Sequence, residues 1–255
     1  MASNALNQTL YDLTLTACMR ADEIADRVHV GIIGYGNPGV NQILGGAEEG
    51  WLPATEWCTS YDSISKVPVS YDGSRVIERE VPIWVSPASN NGTPMPQALD
   101  LAAKIVSRHT EMYPESHPPI VINITDGEAG RLKGPASRVR ACSTEDGDAL
   151  LLNIQISSDG GHPVAFPSVL PPVSSSATQG LFEISSILPE AMASRARNMG
   201  VQIPEGARGI ALNADPMSLA QFLMIGTTLS IPPTESLHAH DAVGAERDQS
   251  AEIHA

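Results

Sequence analysis

Along this chain, segments whose apolar residues return every three or four positions alternate with short runs of β-branched residues, a pattern that predicts alternating helices and strands. Leu6, Leu10, Leu13 and Ala17 fall at intervals of four, three and four, which predicts a helix beginning almost at Met1. Residues 27–34 are rich in β-branched side chains, end in glycine and read as a buried strand. Between Gly36 and about Ala54, glycines and prolines interrupt every period. Residues 66–70 and 75–77 flank Asp72-Gly73, a pair suited to a tight turn, and predict an antiparallel hairpin continuing through 81–85. Pro82 cannot donate to a ladder, which assigns that continuation to a sheet edge or a bulge.

After a polar loop at 86–91, a helix is predicted over 94–112, with Ala98, Leu101, Ile105 and Val106 on its buried side. Pro94 sits in its first turn and Thr93 is its N-cap candidate. Residues 119–125 form the next predicted strand, ended abruptly by Asp126-Gly127-Glu128. In 150–156, Leu152, Ile154 and Ile156 alternate with Asn153 and Gln155, so this strand is expected to be less enclosed than its neighbours. Residues 160–178 are crowded with Pro, Ser and Gly and read as a long loop. A helix over 189–199 stopped by Gly200, a short strand at 209–213 and a last helix follow. Asp215 caps that last helix, Pro216 opens it, and Leu219, Phe222 and Leu223 give it a core face. The expected architecture is α/β: a doubly wound, mostly parallel sheet with helices on both faces, over residues 1–228. Residues 229–255 carry few large apolar side chains and read as an acidic, disordered tail.

Composition narrows the function. At 255 residues, 42% hydrophobic and 17% charged, the chain is long and apolar enough for one domain with a sizeable core. Its 29 acidic against 15 basic residues give a net charge of −14, which repels phosphate backbones and anionic membranes, so neither nucleic acid nor membrane is an expected partner. Cys18, Cys58 and Cys142 lie far apart in sequence, show neither zinc nor redox spacing, and suit a reducing compartment. No apolar run approaches the roughly 18 residues of a membrane span, and the first residues lack a signal peptide's basic start and apolar stretch. A cytoplasmic protein is the expectation.

Three sets of residues invite a chemical reading. Gly34-Tyr35-Gly36-Asn37-Pro38-Gly39 is a literal G-x-G-x-x-G after a predicted strand. The dinucleotide fingerprint needs a helix to open within it, whereas Pro38, Gly39, Gly45, Gly46 and Gly50 follow without helical period. The string reads as a decoy, with a nucleotide-dependent enzyme as the alternative. His29 reads as a satisfied sheet histidine, and His238, His240 and Asp241 as incidental tail residues. No Gly-x-Ser-x-Gly is present and no catalytic residue is assigned. The third set is Thr93 and Asp126, at positions where a parallel sheet binds ligands. A hydroxyl and a carboxylate are hard oxygen ligands suited to Mg²⁺. Taken alone, the plainer reading is a helix cap and a turn with Gly127.

The strings NGTPMPQAL (91–99) and VINITDGE (121–128) resemble the second and third metal-site motifs of a von Willebrand factor A domain, and the intervening helix agrees in order and spacing. LLLNIQISSDGG (150–161) is similar to intracellular bacterial members of that family. The resemblance spans about residues 1–228. It implies a metal-ion-dependent adhesion site in which Thr93 is the threonine ligand and Asp126 the aspartate, with Glu128 beside the site and unassigned. It further implies a partner protein whose acidic side chain completes the octahedron of Mg²⁺, so that the ion bridges two proteins and the chain is not an enzyme. The family's Asp-x-Ser-x-Ser is missing; Asp62-Ser63-Ile64-Ser65 has the wrong spacing. In the family that motif and a central strand immediately precede the first helix, where Met1 falls. The expectation is that the natural chain starts upstream of Met1, leaving here a partial site without its first central strand. The rival is a metal-independent scaffold.

Overall fold

A computed structural model of the chain describes residues 2–71, 75–88, 92–127, 130–156, 162–172 and 174–227. Glu128, the Asp72-Gly73 turn, His238, His240, Asp241 and the proposed tail lie outside them. Helix α1 (Ala2–Leu13) runs into a π-helical turn (Thr14–Cys18), where the Met19 N–H reaches back five residues to the Thr14 carbonyl. Strands β1 (Met19–Arg20) and β2 (Glu23–Ile24) form a minimal hairpin, and β3 (Ile32–Tyr35) and β4 (Val40–Leu44) a second. After the single turn α2 (Ala54–Trp57), β5 (Ser63–Tyr71) and β6 (Arg75–Ile83) form the predicted long antiparallel hairpin. Helix α3 (Met95–Met112) leads to β7 (Ile120–Thr125), then α4 (Lys133–Arg140) and the two-residue strands β8 (Ser143–Thr144) and β9 (Gly147–Asp148). The remaining elements are β10 (Leu150–Gln155), β11 (Val164–Ala165), α5 (Ser176–Ile184), α6 (Glu190–Asn198), β12 (Ile210–Leu212) and α7 (Pro216–Thr227).

The main sheet has four strands in the order β11-β12-β10-β7. It is mostly parallel, since β10 pairs parallel with both β7 and β12 and only β11 runs antiparallel. Side chains of a strand point alternately to its two faces, and the core divides accordingly. Ile120, Ile122 and Ile124 of β7 and Leu152 and Ile154 of β10 meet α6 and α7 through Met192, Ala196, Leu219 and Phe222. Val121, Leu151 and Ile210 instead meet α3, α4 and α5 through Leu99, Val139 and Leu181. A third cluster packs Leu10, Leu13, Ala17, Trp57 and Trp84 where α1 meets α2 and the β5–β6 hairpin. The helices owe their placement to these stripes, as amphipathic helices generally do. Asn7 ties α1 down: its Nδ2 donates to the Val85 carbonyl at 2.9 Å and its Oδ1 accepts from the N–H groups of Trp84 and Val85 at 3.0 Å each. Gly50, at φ +90, leaves room for Ile105 of α3, whose side chain lies where a Cβ would stand.

A chain of polar side chains crosses the second of these cores. The Tyr35 hydroxyl lies 2.7 Å from Asn123 Oδ1 and 2.9 Å from the Ile124 carbonyl oxygen. Asn123 Nδ2 donates to Asn153 Oδ1 at 2.9 Å, Asn153 Nδ2 to Ser185 Oγ at 2.9 Å, and Ser185 Oγ to the Leu181 carbonyl at 2.7 Å. Asn123 and Asn153 face each other across the β7–β10 ladder.

This corrects the reading of 150–156 as a less enclosed strand. β10 is the strand with parallel neighbours on both sides, and Asn153 is fully buried because its amide is satisfied on both ends. Residues 27–34 are corrected too: only Ile32–Tyr35 is strand, half-buried, in an antiparallel hairpin. Its partner Val40–Leu44 arises within the glycine-interrupted stretch, because a two-stranded hairpin needs only local pairing. The stretch read as one long loop contains β11 and the start of α5, where Ser175 Oγ accepts from the Thr178 N–H at 3.1 Å. The caps at Asp215, whose Oδ1 accepts from the Ser218 N–H at 2.7 Å, and at Gly200, at φ +83, are as expected. Among the described residues no helix is long and apolar enough to cross a membrane.

Replacing Asn153 with leucine keeps the number of side-chain heavy atoms but takes the oxygen acceptor from Asn123 Nδ2, leaving it only Met95 Sδ at 3.4 Å, and the donor from Ser185 Oγ, in a dry core. The expected loss of unfolding free energy is about 2 kcal/mol, read from the shift in urea midpoint at unchanged slope. A midpoint equal to wild type means that the amide chain does not hold the sheet.

Candidate functional site

Because β7 and β10 run parallel with Thr125 opposite Gln155, their carboxyl ends open on one rim, and Asp126 is the first residue beyond β7. The segment before α3 comes to the same place. A methyl group on Gly127 would stand 2.3 Å from Thr93 Oγ1 and 3.2 Å from its Cγ2, so the threonine lies directly over the residue after Asp126. Only a residue without a Cβ permits that approach. The tip of the β3–β4 hairpin closes in as well, since a methyl on Gly92 would lie 4.0 Å from the Asn37 amide nitrogen.

Neither residue has the plain role that sequence offers it. Thr93 is not the N-cap of α3: Pro94 occupies that position and no side chain caps the helix. A first turn containing Pro96 already lacks one N–H, and first-turn N–H groups have no intrahelical partner to lose. The turn after β7 is closed by Thr125, whose Oγ1 accepts from the Gly127 N–H at 3.1 Å, and not by Asp126. Asp126 is exposed and has no hydrogen bond or ion pair among the described residues. The rim thus carries the Thr93 hydroxyl, packed over Gly127, and in the preceding residue an exposed carboxylate that no described residue engages.

Tyr35 was not foreseen as part of this region. Its phenol is pushed up to about 12, first by burial and further by the negative charge of Asp126, with a hydrogen bond to Thr125 opposing. It therefore stays a neutral donor under the rim. The signal in sequence was the Gly34–Gly39 string that contains it. In the structure that string is the end of β3 and a hairpin turn, in which the Gly36 N–H bonds the Gly39 carbonyl at 3.0 Å before β4 begins. No helix opens there. Between the start of α4 and α5 lies an open cleft of about 730 Å³ lined by Gly130, Arg131, Lys133 and Gly180. Lys133 pairs with Glu183 at 2.7 Å, while Arg131 is exposed at φ +37.

Among the described residues no three or more His, Cys, Asp and Glu side chains gather as a metal-binding group. A pair of histidines among the described residues lies elsewhere. His29 Nδ1 is 3.1 Å from His109 Nε2, His29 Nε2 is 3.5 Å from Asp26 Oδ2, and Trp51 and Tyr113 pack around the pair. His109 Nδ1 is buried without a partner among the described residues, which fixes the proton on Nε2, donating to His29 Nδ1, while His29 Nε2–H faces Asp26. His29 is thus a satisfied histidine. A second proton on His109 has no acceptor, and its imidazole is held down to about 4, by burial first and by His29 second.

Known protein families, curated proteins and solved structures offer no match to this chain.

Two outcomes follow from this geometry. Gly127→Ala drives a methyl into Thr93, and in a double-mutant cycle with Thr93→Ala the two changes should couple by at least about 0.5 kcal/mol; strictly additive losses would separate the residues. For His109, the folded pKa of about 4 lies below the ordinary 6.5, so between those values the unfolded chain takes up a proton that the fold refuses. Stability should be fully present above about pH 6.5 and decline as pH falls toward 4. His109→Asn should flatten that decline in urea titrations at pH 7 and 5; an equal slope in both proteins contradicts it.

Proposed function

We propose that the chain is a protein-binding module of the von Willebrand factor A type, with a doubly wound sheet, in which Thr93 and Asp126 hold Mg²⁺ for sharing with an acidic side chain of a partner protein. The observation that carries this reading is the packing of Thr93 Oγ1 against Gly127, beside an exposed Asp126 with no hydrogen bond or ion pair among the described residues. Residues drawn from two loops 33 positions apart, neither engaged as cap nor turn, meet at the carboxyl rim of parallel strands, where ligands commonly bind.

The donor set fits such an ion in part. A hydroxyl and a carboxylate are the oxygen donors that Mg²⁺ prefers, and they supply two of the six positions of an octahedron. Thr93 and Asp126 would hold the ion with too few protein donors to replace much of its hydration shell, so affinity in the 255-residue chain would be weak. Saturating Mg²⁺ accordingly raises unfolding free energy by less than about 1 kcal/mol. A nucleotide-dependent enzyme built on Gly34–Gly39 draws no support from a hairpin turn without a helix N-terminus. A metal-independent scaffold is the reading to which failure of the following test leads.

Mn²⁺ replaces Mg²⁺ as a spectroscopic probe. Titration followed by electron paramagnetic resonance should give one weak site, weakened about tenfold or more by Asp126→Asn and less by Thr93→Ala. Acetate, standing in for a partner's carboxylate, should tighten Mn²⁺ binding, since two ligands of one bridging ion stabilise each other reciprocally. Binding untouched by Asp126→Asn, or acetate acting as a competitor, overturns the proposal.

A further inference from the structure

Strand β7 stands at one end of the main sheet and pairs with no strand on its outer side among the described residues. The Leu150 N–H bonds the Pro119 carbonyl at 2.9 Å, and the Ile156 N–H bonds the Thr125 carbonyl at 2.8 Å. In a parallel ladder alternate residues turn their backbone groups to the same neighbour, so Val121, Asn123 and Thr125 face β10 while Ile120, Ile122 and Ile124 face outward. The Tyr35 hydroxyl lies 2.9 Å from the Ile124 carbonyl oxygen. The outward N–H groups of Ile120, Ile122 and Ile124 and the carbonyls of Ile120 and Ile122 have no hydrogen-bond partner among the described residues, although all three residues are half-buried. Sheet edges are ordinarily short, charged or interrupted by proline. The strand at the other end of the sheet, β11, has only two residues, whereas β7 runs for six, Ile-Val-Ile-Asn-Ile-Thr, with neither charge nor proline.

We propose that the outer edge of β7 is a docking site for an extended, uncharged apolar segment of another protein, which joins the sheet as a further strand. The backbone fixes the form of the occupant. Outward N–H and carbonyl groups recurring at every second residue are matched by an extended main chain, which presents complementary groups at the same rise; a helix, whose own backbone groups are already paired, does not. The two faces fix its side chains. On one face Ile120, Ile122 and Ile124 share a cluster with Ala2 and Ala5 of α1; on the other, Val121 shares one with Met95 and Leu99 of α3 and with Ile33 and Tyr35 of β3. Both sets of alternating side chains on the incoming strand therefore meet apolar neighbours, and a charge on either set would be desolvated without a partner. Tyr35 marks the carboxyl end of the site, where its hydroxyl already stands at the Ile124 carbonyl, so Ile120 and Ile122 offer the free length. This attachment runs through main-chain hydrogen bonds and needs no ion, so it stands or falls separately from the Mg²⁺ reading of Thr93 and Asp126.

The sequence of β10 supplies the probe, because it already pairs in parallel with the opposite edge of β7. A synthetic peptide copying residues 149–156, with lysines added beyond each end for solubility and a fluorescent label, is titrated with the full 255-residue chain in EDTA. Its anisotropy should rise to saturation, and amide hydrogen exchange followed by NMR should slow about tenfold or more at Ile122 and Ile124. Both amides point away from β10, so a peptide that merely displaced β10 would leave their exchange unchanged. Ile122→Pro removes one outward N–H and no ladder bond to β10, and should weaken binding about tenfold or more. The exchange measurement on the wild-type chain needs no variant and stands if that substitution fails to fold. Three results would each overturn the proposal: no saturable binding, binding that leaves Ile122 and Ile124 unprotected, or a free chain that sediments as a dimer with both amides already slow. The last would give the edge to a second copy of the chain.

Discussion

The side-by-side amides of Asn123 and Asn153 are the contact on which the arrangement of this molecule turns. Hydrophobic burial drives β7 and β10 together but does not specify how far one slides along the other, since isoleucine and leucine tolerate many neighbours. A buried amide tolerates few. With Nδ2 of one residue 2.9 Å from Oδ1 of the next, any slip along the ladder leaves two polar groups unpaired in a dry core. Tyr35 at one end and Ser185 at the other extend the same discipline to the β3–β4 hairpin and to α5. Strand register, hairpin position and helix position are thereby tied to one polar chain that runs in a single donor-to-acceptor direction.

The rim inherits its geometry from that chain. Thr125 stands opposite Gln155 because Asn123 stands opposite Asn153, and Asp126 leaves the sheet where it does because Thr125 closes the following turn. Glycine at 127 then decides how near the segment before α3 can approach. The segment that carries Thr93 is accordingly packed on the loop that carries Asp126, while the phenol of Tyr35, bonded to Asn123 and near the Ile124 carbonyl, stays neutral beneath the end of β7.

Much of this was legible in the order of residues, and the parts that were not have physical reasons. The long helix over 94–112, β7, the β5–β6 hairpin and the Asp215 cap were read from periodicity and cap chemistry, signals that tertiary contacts reinforce here. Thr93 was placed as a cap because threonine before an apolar helical stripe usually is one; sequence alone does not show that the residue over which it leans lacks a side chain. Asn153 misled because an alternating polar residue ordinarily faces water, and its partners Asn123 and Ser185 lie about thirty positions away on either side. Short strands such as Val164–Ala165, and α4 with its Gly-Pro start, carry too few apolar positions to announce a period. The string with the most recognisable pattern, Gly34–Gly39, proved to matter for its tyrosine and not for its glycines.

The β5–β6 hairpin extends nine residues on each strand and pairs with no other strand among the described residues. Such a ribbon offers two long unpaired borders, a template on which another copy's backbone can dock. Its composition argues against that fate. Pro68 and Pro82 lack the N–H needed to extend the ladder, and Lys66, Glu78 and Glu80 stand exposed along it. The Lys66–Glu78 pair, 3.9 Å apart and open to solvent, adds little cohesion. Prolines and exposed charges along its borders thus disfavour the pairing of one ribbon with another.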